Sequence, residues 1–163
     1  NEHRDAYEYS VRFAYRDVHG RGAATLARSG LTSEQIEGTP RLVMMQFWRN
    51  LGEAKMDLPV AFCDNRTVTP AETKPFHYTG YVAGGRQFDA LGVLPPADPS
   101  VHGWYVYPEL RPDEVVAFRT YDTDLVREGK TYFTPHSAFR DPEVEAGNPP
   151  RFSIELRVMC LFL

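Results

Sequence analysis

The sequence predicts one mainly β domain, a sandwich or barrel with a few short helices. Its 163 residues are enough for a single hydrophobic core. Thirteen prolines and 13% aromatic residues are typical of many short strands joined by rigid turns. No internal repeat or change of composition divides the chain, so we expect a single domain over residues 1–163.

The first part of the chain predicts two strands and a helix. Residues 7–17 alternate apolar and polar side chains with the period of a half-buried strand. Thr32 is a capping hydroxyl and Gln35 follows three residues later, so we expect a short helix that ends at Gly38. Residues 41–48 are dense in apolar and aromatic side chains and predict a mostly buried strand.

Short apolar runs in the middle of the chain predict further strands. Residues 58–63 and 104–107 are each bounded by turn residues. Between these runs, the glycines, prolines and scattered aromatic residues of 76–101 indicate strands interrupted by loops rather than a helix.

The next stretch predicts a strand, a loop and a second strand that leads to a histidine. Residues 115–118 predict the first strand, and in the hydrophilic loop that follows we expect Asp122 and Asp124 to be solvated turn residues. Residues 130–133 predict an aromatic strand that leads directly to His136.

The alternating residues 152–163 predict the last strand. We expect its apolar side chains to face inward and its polar side chains to lie on the opposite face. The apolar set is Ile154, Leu156 and Val158, and the polar set is Ser153, Glu155 and Arg157.

Charge and composition narrow the possible partners. A net charge of −4 gives no basic field for a phosphate backbone, so we expect no nucleic-acid partner. The apolar runs are far shorter than the ~20 residues that span a bilayer, and we expect a soluble, cytoplasmic protein with no membrane partner. Cys63 and Cys160 are too few for a disulfide scaffold, and we expect each to be a buried apolar residue. The oligomeric state stays open.

His136, Arg151 and Ser153 form a grouping that suggests metal chemistry. Imidazole is a good ligand for Fe(II), and two histidines with one carboxylate leave positions open for a 2-oxo acid and oxygen. An arginine beside a hydroxyl can bind the distal carboxylate of 2-oxoglutarate. The alternative is that His136 is a hydrogen-bonded loop residue and Arg151 pairs with Glu155. Spacing alone favours that alternative.

Six motifs in a fixed order add a resemblance to a known family. Each is weak alone, but together they cover residues 41–163 and resemble the fungal hydroxylase/desaturase family related to gibberellin desaturase and to the cephem methoxylase accessory protein. The motifs are Trp48-Arg49, Leu58-Pro-Val-Ala-Phe-Cys-Asp64, Trp104-Tyr-Val-Tyr107, Asp113-Glu-Val-Val-Ala-Phe118, Pro135-His-Ser-Ala-Phe139 and Pro150-Arg-Phe-Ser-Ile-Glu-Leu-Arg157.

The resemblance implies a double-stranded β-helix, the jelly-roll fold of cupins. It implies a non-haem dioxygenase that uses Fe(II) and 2-oxoglutarate to hydroxylate or desaturate a small molecule in secondary metabolite biosynthesis. By this resemblance His136 is a metal ligand, and Arg151 with Ser153 binds 2-oxoglutarate, with Arg157 as the rival arginine. We expect Trp48, Arg49 and Tyr105 to contact the substrate.

The chain also departs from the family pattern. The family's Asn-x-Trp-Arg-Pro segment is Gln46-Phe-Trp-Arg-Asn50 here. The family places an H-x-D pair upstream of that segment to complete the iron site, and we expect this sequence to offer no such pair. Its nearest candidate is His19-Gly20-Arg21, in which a cation replaces the acid. We therefore expect half of the iron site to be missing from this sequence.

Two interpretations of His19 remain. In the first it is the proximal ligand. In the second, which we favour, residues 11–31 match the family's entry strand, and a segment that holds the H-x-D pair is missing near residues 31–32.

Two other functions follow if the iron ligands are truly lost: a metal-free β-helix protein that binds or rearranges a small molecule without redox chemistry, or a non-catalytic scaffold. His77 and His102 lie in loop-like stretches without acidic or cysteine partners at metal-ligand spacing, so we expect them to be structural. No G-x-S-x-G or C-x-x-C motif supports a hydrolase or a thiol oxidoreductase.

Overall fold

The chain folds around a long central strand, β1 (Arg41–Asn50), which confirms the buried strand predicted over residues 41–48. The computed structural model describes residues 27–79, 88–142 and 147–163. The strand predicted over residues 7–17 and His19 lie outside this described part. Helix α1 (Ser33–Gly38) precedes β1 and begins with the predicted capping box, in which Thr32 and Gln35 each accept a hydrogen bond from the other's backbone N–H.

Six of the strands form two three-stranded antiparallel sheets. In the first sheet β1 lies between β6 and β8, and in the second β2 lies between β5 and β7. Strands β3 and β4 form a separate antiparallel hairpin. The strands after β1 are β2 (Val60–Cys63), β3 (Thr73–Tyr78), β4 (Phe88–Val93), β5 (Trp104–Val106), β6 (Val116–Asp122), β7 (His136–Ala138) and β8 (Ser153–Phe162).

The chain crosses repeatedly from one sheet to the other. Strand β1 lies in the first sheet and β2 in the second. From β5 to β8, consecutive strands alternate between the second sheet and the first. This is the connectivity of a jelly-roll. The structure therefore confirms the predicted β-helix fold, with short helices confined to the connections.

Apolar side chains from both sheets meet in two clusters. The larger cluster joins the sheets, because Phe62 of β2 packs against Phe118 of β6 with ring centroids 5.0 Å apart. Its other buried members are Trp48, Met56 and Leu110. The smaller cluster contains Leu42, Tyr121 and Tyr132. Tyr132 reaches it from an irregular segment, so the strand predicted over residues 130–133 is wrong.

The loop predicted after β6 is also wrong, because a second helix, α2 (Thr123–Arg127), begins there. Asp122 caps this helix by accepting a hydrogen bond from the Asp124 N–H at 3.1 Å. Its carboxylate also accepts from Arg41 at 3.0 Å and from Arg119 at 3.3 Å. Asp122 is buried rather than solvated because three donors compensate for its desolvation.

The face assignment predicted for β8 is reversed. Gln46 of β1 lies opposite Phe118 of β6 and Arg157 of β8, and directly opposed residues of an antiparallel sheet share a face. Since Phe118 packs against the second sheet, Arg157 faces the interior. Ser153 and Glu155 share that face by alternation. The apolar side chains point outward, and Ile154, Leu156 and Val158 are 57%, 63% and 37% exposed.

The two cysteines differ in their surroundings. Cys63 is buried, as predicted, and burial raises the pKa of its thiol. Cys160 is only half-buried, on the outward face of β8. Within the described residues, no helix is long and apolar enough to cross a membrane.

The Asp122 carboxylate should contribute strongly to stability. Asp122→Asn leaves the guanidinium groups of Arg41 and Arg119 without their anion, and we expect a loss of about 2–4 kcal/mol in the free energy of unfolding. Asp113→Asn is the matched control, because that side chain is 76% exposed and should cost less than about 0.5 kcal/mol. Urea unfolding of both variants measures the difference, and equal losses would contradict the role given to Asp122.

Candidate metal and co-substrate site

His136 is the first residue of β7 and faces the space between the sheets. It lies opposite Phe62 of β2. Its ring is 4.6 Å from that of Phe118 and 6.2 Å from that of Phe62, measured between centroids. The two phenylalanine rings therefore fix the imidazole on the inner surface, while the residue remains exposed to solvent.

The hydrogen bond of His136 determines which ring nitrogen is available. Nδ1 lies 3.0 Å from the backbone oxygen of Thr134. A carbonyl oxygen can only accept, so Nδ1 carries the proton and donates. Nε2 then keeps its lone pair. This is the arrangement of a metal-binding histidine, whose second nitrogen usually donates to a carbonyl or carboxylate.

The described residues supply this one ligand and not a complete metal site. Across residues 27–79, 88–142 and 147–163, no group of three or more His, Cys, Asp or Glu side chains could hold a metal ion. His136 fits iron as a single ligand.

Arg151 and Ser153 lie at the start of β8. The Arg151 backbone N–H donates to Asp57 at 2.9 Å, and its guanidinium donates to the Leu58 carbonyl at 3.0 Å. Ser153 lies opposite Asn50 of β1, on the inner face. The alternative prediction that Arg151 pairs with Glu155 is wrong, because Glu155 accepts instead from Gln46.

A polar group on the inner face was missed by the sequence analysis. Gln46 is buried, accepts a hydrogen bond from Arg157 Nε at 3.1 Å and donates to Glu155. Gln46 lies opposite Phe118, which packs on His136, so Arg157 of the first sheet and His136 of the second face the same space between the sheets. The alternation of side chains along β1 could have predicted this, because Gln46 lies two residues before the buried Trp48 and therefore shares its face.

The three residues expected to contact substrate are separated. Phe62 of β2 pairs with Tyr105 of β5 on one side and with His136 of β7 on the other, so Tyr105 and His136 share a face of the second sheet. Tyr105 is 62% exposed. Trp48 is buried in the larger apolar cluster. Arg49 points to the outer face, where its Nε donates to the Pro112 carbonyl, and the structure does not bring it together with the others.

A cavity of about 620 Å³ lies beside His136. The hairpin strand β4 and the segment after it supply a continuous part of its wall, including Leu91, Val93 and Pro96. Trp104, His102 and Phe133 also line it. His136 is thus positioned between the sheet interior and a mainly apolar space large enough for a small organic molecule.

Comparison with known proteins shows which proteins this chain resembles. The chain is 32% identical over 133 residues to the Fe(II)/2-oxoglutarate-dependent dioxygenase nvfI of Aspergillus novofumigatus (strain IBT 16806). It is 30% identical over 131 residues to the hydroxylase/desaturase efuI of Hormonema carpetanum. Each match covers 77% of this chain. A family described as "YDMC: Oxidoreductase/YMDC permease-like domain" matches residues 2–161.

The chain belongs to the oxidoreductase family that this description names. Its relatives include a fungal dioxygenase and a fungal hydroxylase/desaturase. Solved structures of the iron and alpha-ketoglutarate-dependent endoperoxidase NvfI superpose on this chain. One, described as having a different conformation, has a TM-score of 0.63 at 25% identity and covers 93% of this chain and 48% of that one. The W199F variant has a TM-score of 0.60 at 26% identity, covering 93% of this chain and 50% of that chain.

This chain spans less than half the length of the curated relatives nvfI and efuI. The matched parts amount to 44% of nvfI and 42% of efuI. The family match begins at residue 2 and includes one H-x-D sequence, His3-Arg4-Asp5, which lies outside the described residues. The expectation that this sequence offers no such pair is therefore wrong, and a search for the motif alone would have found it.

The packing of Phe118 on His136 leads to a prediction. Phe118→Leu keeps a similar volume and should cost less than about 1.5 kcal/mol of stability. It removes the aromatic ring at 4.6 Å, so we expect the His136 ring-proton resonances to move toward those of a free histidine. Phe47→Leu on the outer face is the control and should leave them unchanged. Equal resonances in both variants, measured by NMR, would place the imidazole elsewhere.

Proposed function

We propose that the whole protein is a non-haem Fe(II)/2-oxoglutarate-dependent oxygenase that hydroxylates or desaturates a small specialised metabolite in the cytoplasm, without a nucleic-acid or membrane partner. The orientation of His136 carries the proposal: Nδ1 is held by Thr134 and Nε2 keeps its lone pair on the inner surface of a jelly-roll. The names of nvfI and efuI agree with it. Iron and 2-oxoglutarate would supply the oxidising chemistry when bound.

The residues of the described part would take distinct roles. His136 would bind the metal through Nε2. Arg151 and Ser153 would bind the carboxylate of 2-oxoglutarate. The Arg151 guanidinium would then leave the Leu58 carbonyl and donate to that carboxylate, which is a stronger acceptor because it is charged. Trp48 and Tyr105 would form an aromatic wall for the substrate, with Trp48 acting from the cluster beneath the surface.

Arg157 is the competing arginine for the 2-oxoglutarate carboxylate. It lies on the inner face and is held by Gln46 at 3.1 Å and, more loosely, by Glu155 at 3.8 Å. Glu155 already offers it a negative charge, which reduces its attraction for a second anion. Arg151 donates only to backbone and carboxylate oxygens of residues 57–58, and its guanidinium has no ion pair among the described residues. This difference favours Arg151.

The remaining iron ligands have three possible sources. We propose that they lie in a segment missing near residues 31–32, which would hold the family's H-x-D pair. His3 with Asp5 is the alternative inside this chain, and His19 is the third, with Arg21 in the position of the acid. The first two supply a carboxylate, whereas His19-Gly20-Arg21 does not.

A second function is a metal-free β-helix protein that binds or rearranges a small molecule without redox chemistry. The observation that favours it is the lack of a three-residue metal-binding group across the part of the chain that the structure describes. It would use the same cavity beside His136.

Iron binding separates the two functions. In the protein translated from the complete transcript, we expect about one iron per chain and 2-oxoglutarate decarboxylation in its presence. His136→Ala removes a direct ligand and should weaken iron binding by more than about 100-fold. Removing a residue that only hydrogen-bonds to a ligand typically costs about 10- to 100-fold. His77→Ala, an exposed histidine on β3, is the control and should bind normally. Unchanged iron content in His136→Ala would refute the proposed ligand.

The two arginines can be compared directly. Arg151→Met should raise the dissociation constant for 2-oxoglutarate by about 10- to 100-fold, because a charge-assisted hydrogen bond to a carboxylate is lost. Arg157→Met should change it by less than about threefold if that guanidinium serves only Gln46 and Glu155. Calorimetric titration of both variants measures this, and the reverse order would move the carboxylate site to Arg157.

The missing segment can be tested on the transcript. We expect sequencing across the codons of Leu31 and Thr32 to reveal additional codons that encode an H-x-D pair. A continuous transcript would exclude the segment. In that case, His3→Ala and His19→Ala, compared for iron content, would show which histidine is the second ligand.

A further inference from the structure

His102 forms a buried pair with a carboxylate at the wall of the cavity that also contains His136. Its side chain is 3% exposed, and Nε2 lies 3.2 Å from Glu72 Oε1. The pair joins two short turns, Pro70–Glu72 and the Pro99–Val101 turn that immediately precedes His102. Proximity along the chain does not produce this pair, since the two residues are thirty positions apart.

Glu72 is held in its anionic form. Its Oε2 accepts hydrogen bonds from the Thr69 hydroxyl and from the Thr69 backbone N–H, each at 2.7 Å. The bond from the Thr69 hydroxyl is the largest of several effects that lower the pKa of Glu72. A carboxylate only accepts, so the hydrogen between the two side chains belongs to His102 Nε2.

The second ring nitrogen of His102 is therefore a hydrogen-bond acceptor when the ring is neutral. Nδ1 has no hydrogen-bond partner among the described residues. It is also absent from the polar atoms of those residues that are both unpartnered and fully shielded, so it keeps some accessible surface. His102 lines the cavity, whose remaining wall is mostly leucine, valine, proline and aromatic side chains. An acceptor at an apolar wall favours a ligand that brings a donor to that point.

We propose that His102, oriented by Glu72, recognises a hydroxyl or N–H donor on an otherwise apolar substrate in the cavity beside His136. The inference names the substrate class of the site and rests on the proposed function for the statement that the ligand is a substrate. A purely structural role would tie the two turns together and would not discriminate between ligands that differ only in a donor.

A matched pair of small cage compounds tests this without iron or 2-oxoglutarate. The probes are 1-fluoroadamantane, which has no donor, and 1-adamantanol, which has one at the same position. The ¹⁹F signal of 1-fluoroadamantane reports its own binding to the purified chain, and displacement by 1-adamantanol gives the affinity of the alcohol. We expect the alcohol to bind about three- to tenfold more tightly, the worth of one hydrogen bond.

In His102→Phe the preference should disappear while the affinity for 1-fluoroadamantane is retained, which also shows that the variant is folded. His77→Phe, on the same hairpin as the cavity wall but outside its lining, is the control and should keep the preference. A preference that survives in His102→Phe, or failure of both probes to bind the unmodified chain, overturns the proposal. The experiment measures binding and not turnover, so either result is independent of the tests for iron and 2-oxoglutarate.

Discussion

The register of β1 against β6 and β8 determines which side chains face the interior. It places Gln46 opposite both Phe118 and Arg157, and Trp48 opposite Glu155. A shift of one residue would exchange the two faces of the sheet. Phe118 would then no longer reach Phe62 and His136, and the polar side chains of β8 would leave the interior. The candidate site therefore requires this register, because without it the site's side chains would not face the interior.

The same register explains why the interior is not a uniform apolar core. A buried amide, Gln46, lies between a cation and an anion that are each more than half exposed, so its hydrogen bonds are satisfied while the charges keep contact with solvent. Phe62 and Phe118, which belong to the larger apolar cluster, pack against the His136 ring on the inner side of the sheets. An interior of this kind suits a protein that admits charged and polar ligands between its sheets.

Local signals in the sequence were sufficient for much of the fold and for less of the site. Thr32 and Gln35 specify the start of α1, and the dense apolar run of β1 specifies a buried strand. The inward face of β8 was assigned wrongly because the usual rule places apolar residues inside, whereas here the polar set lines the interior. The pairs Asp122–Arg41 and Glu72–His102 join residues distant in sequence, which no local pattern reveals. The roles of His136 and Arg151 rested on resemblance rather than on spacing.

The central claim is that His136 Nε2 is a ligand to iron in the complete protein. A crystal structure of that protein, grown without oxygen in the presence of Fe(II) and measured at the iron absorption edge, tests it most directly. The account predicts an anomalous peak within bonding distance of Nε2, with Nδ1 still donating to the Thr134 carbonyl. A peak bound elsewhere, or an imidazole turned so that Nε2 faces away from the metal, would contradict it.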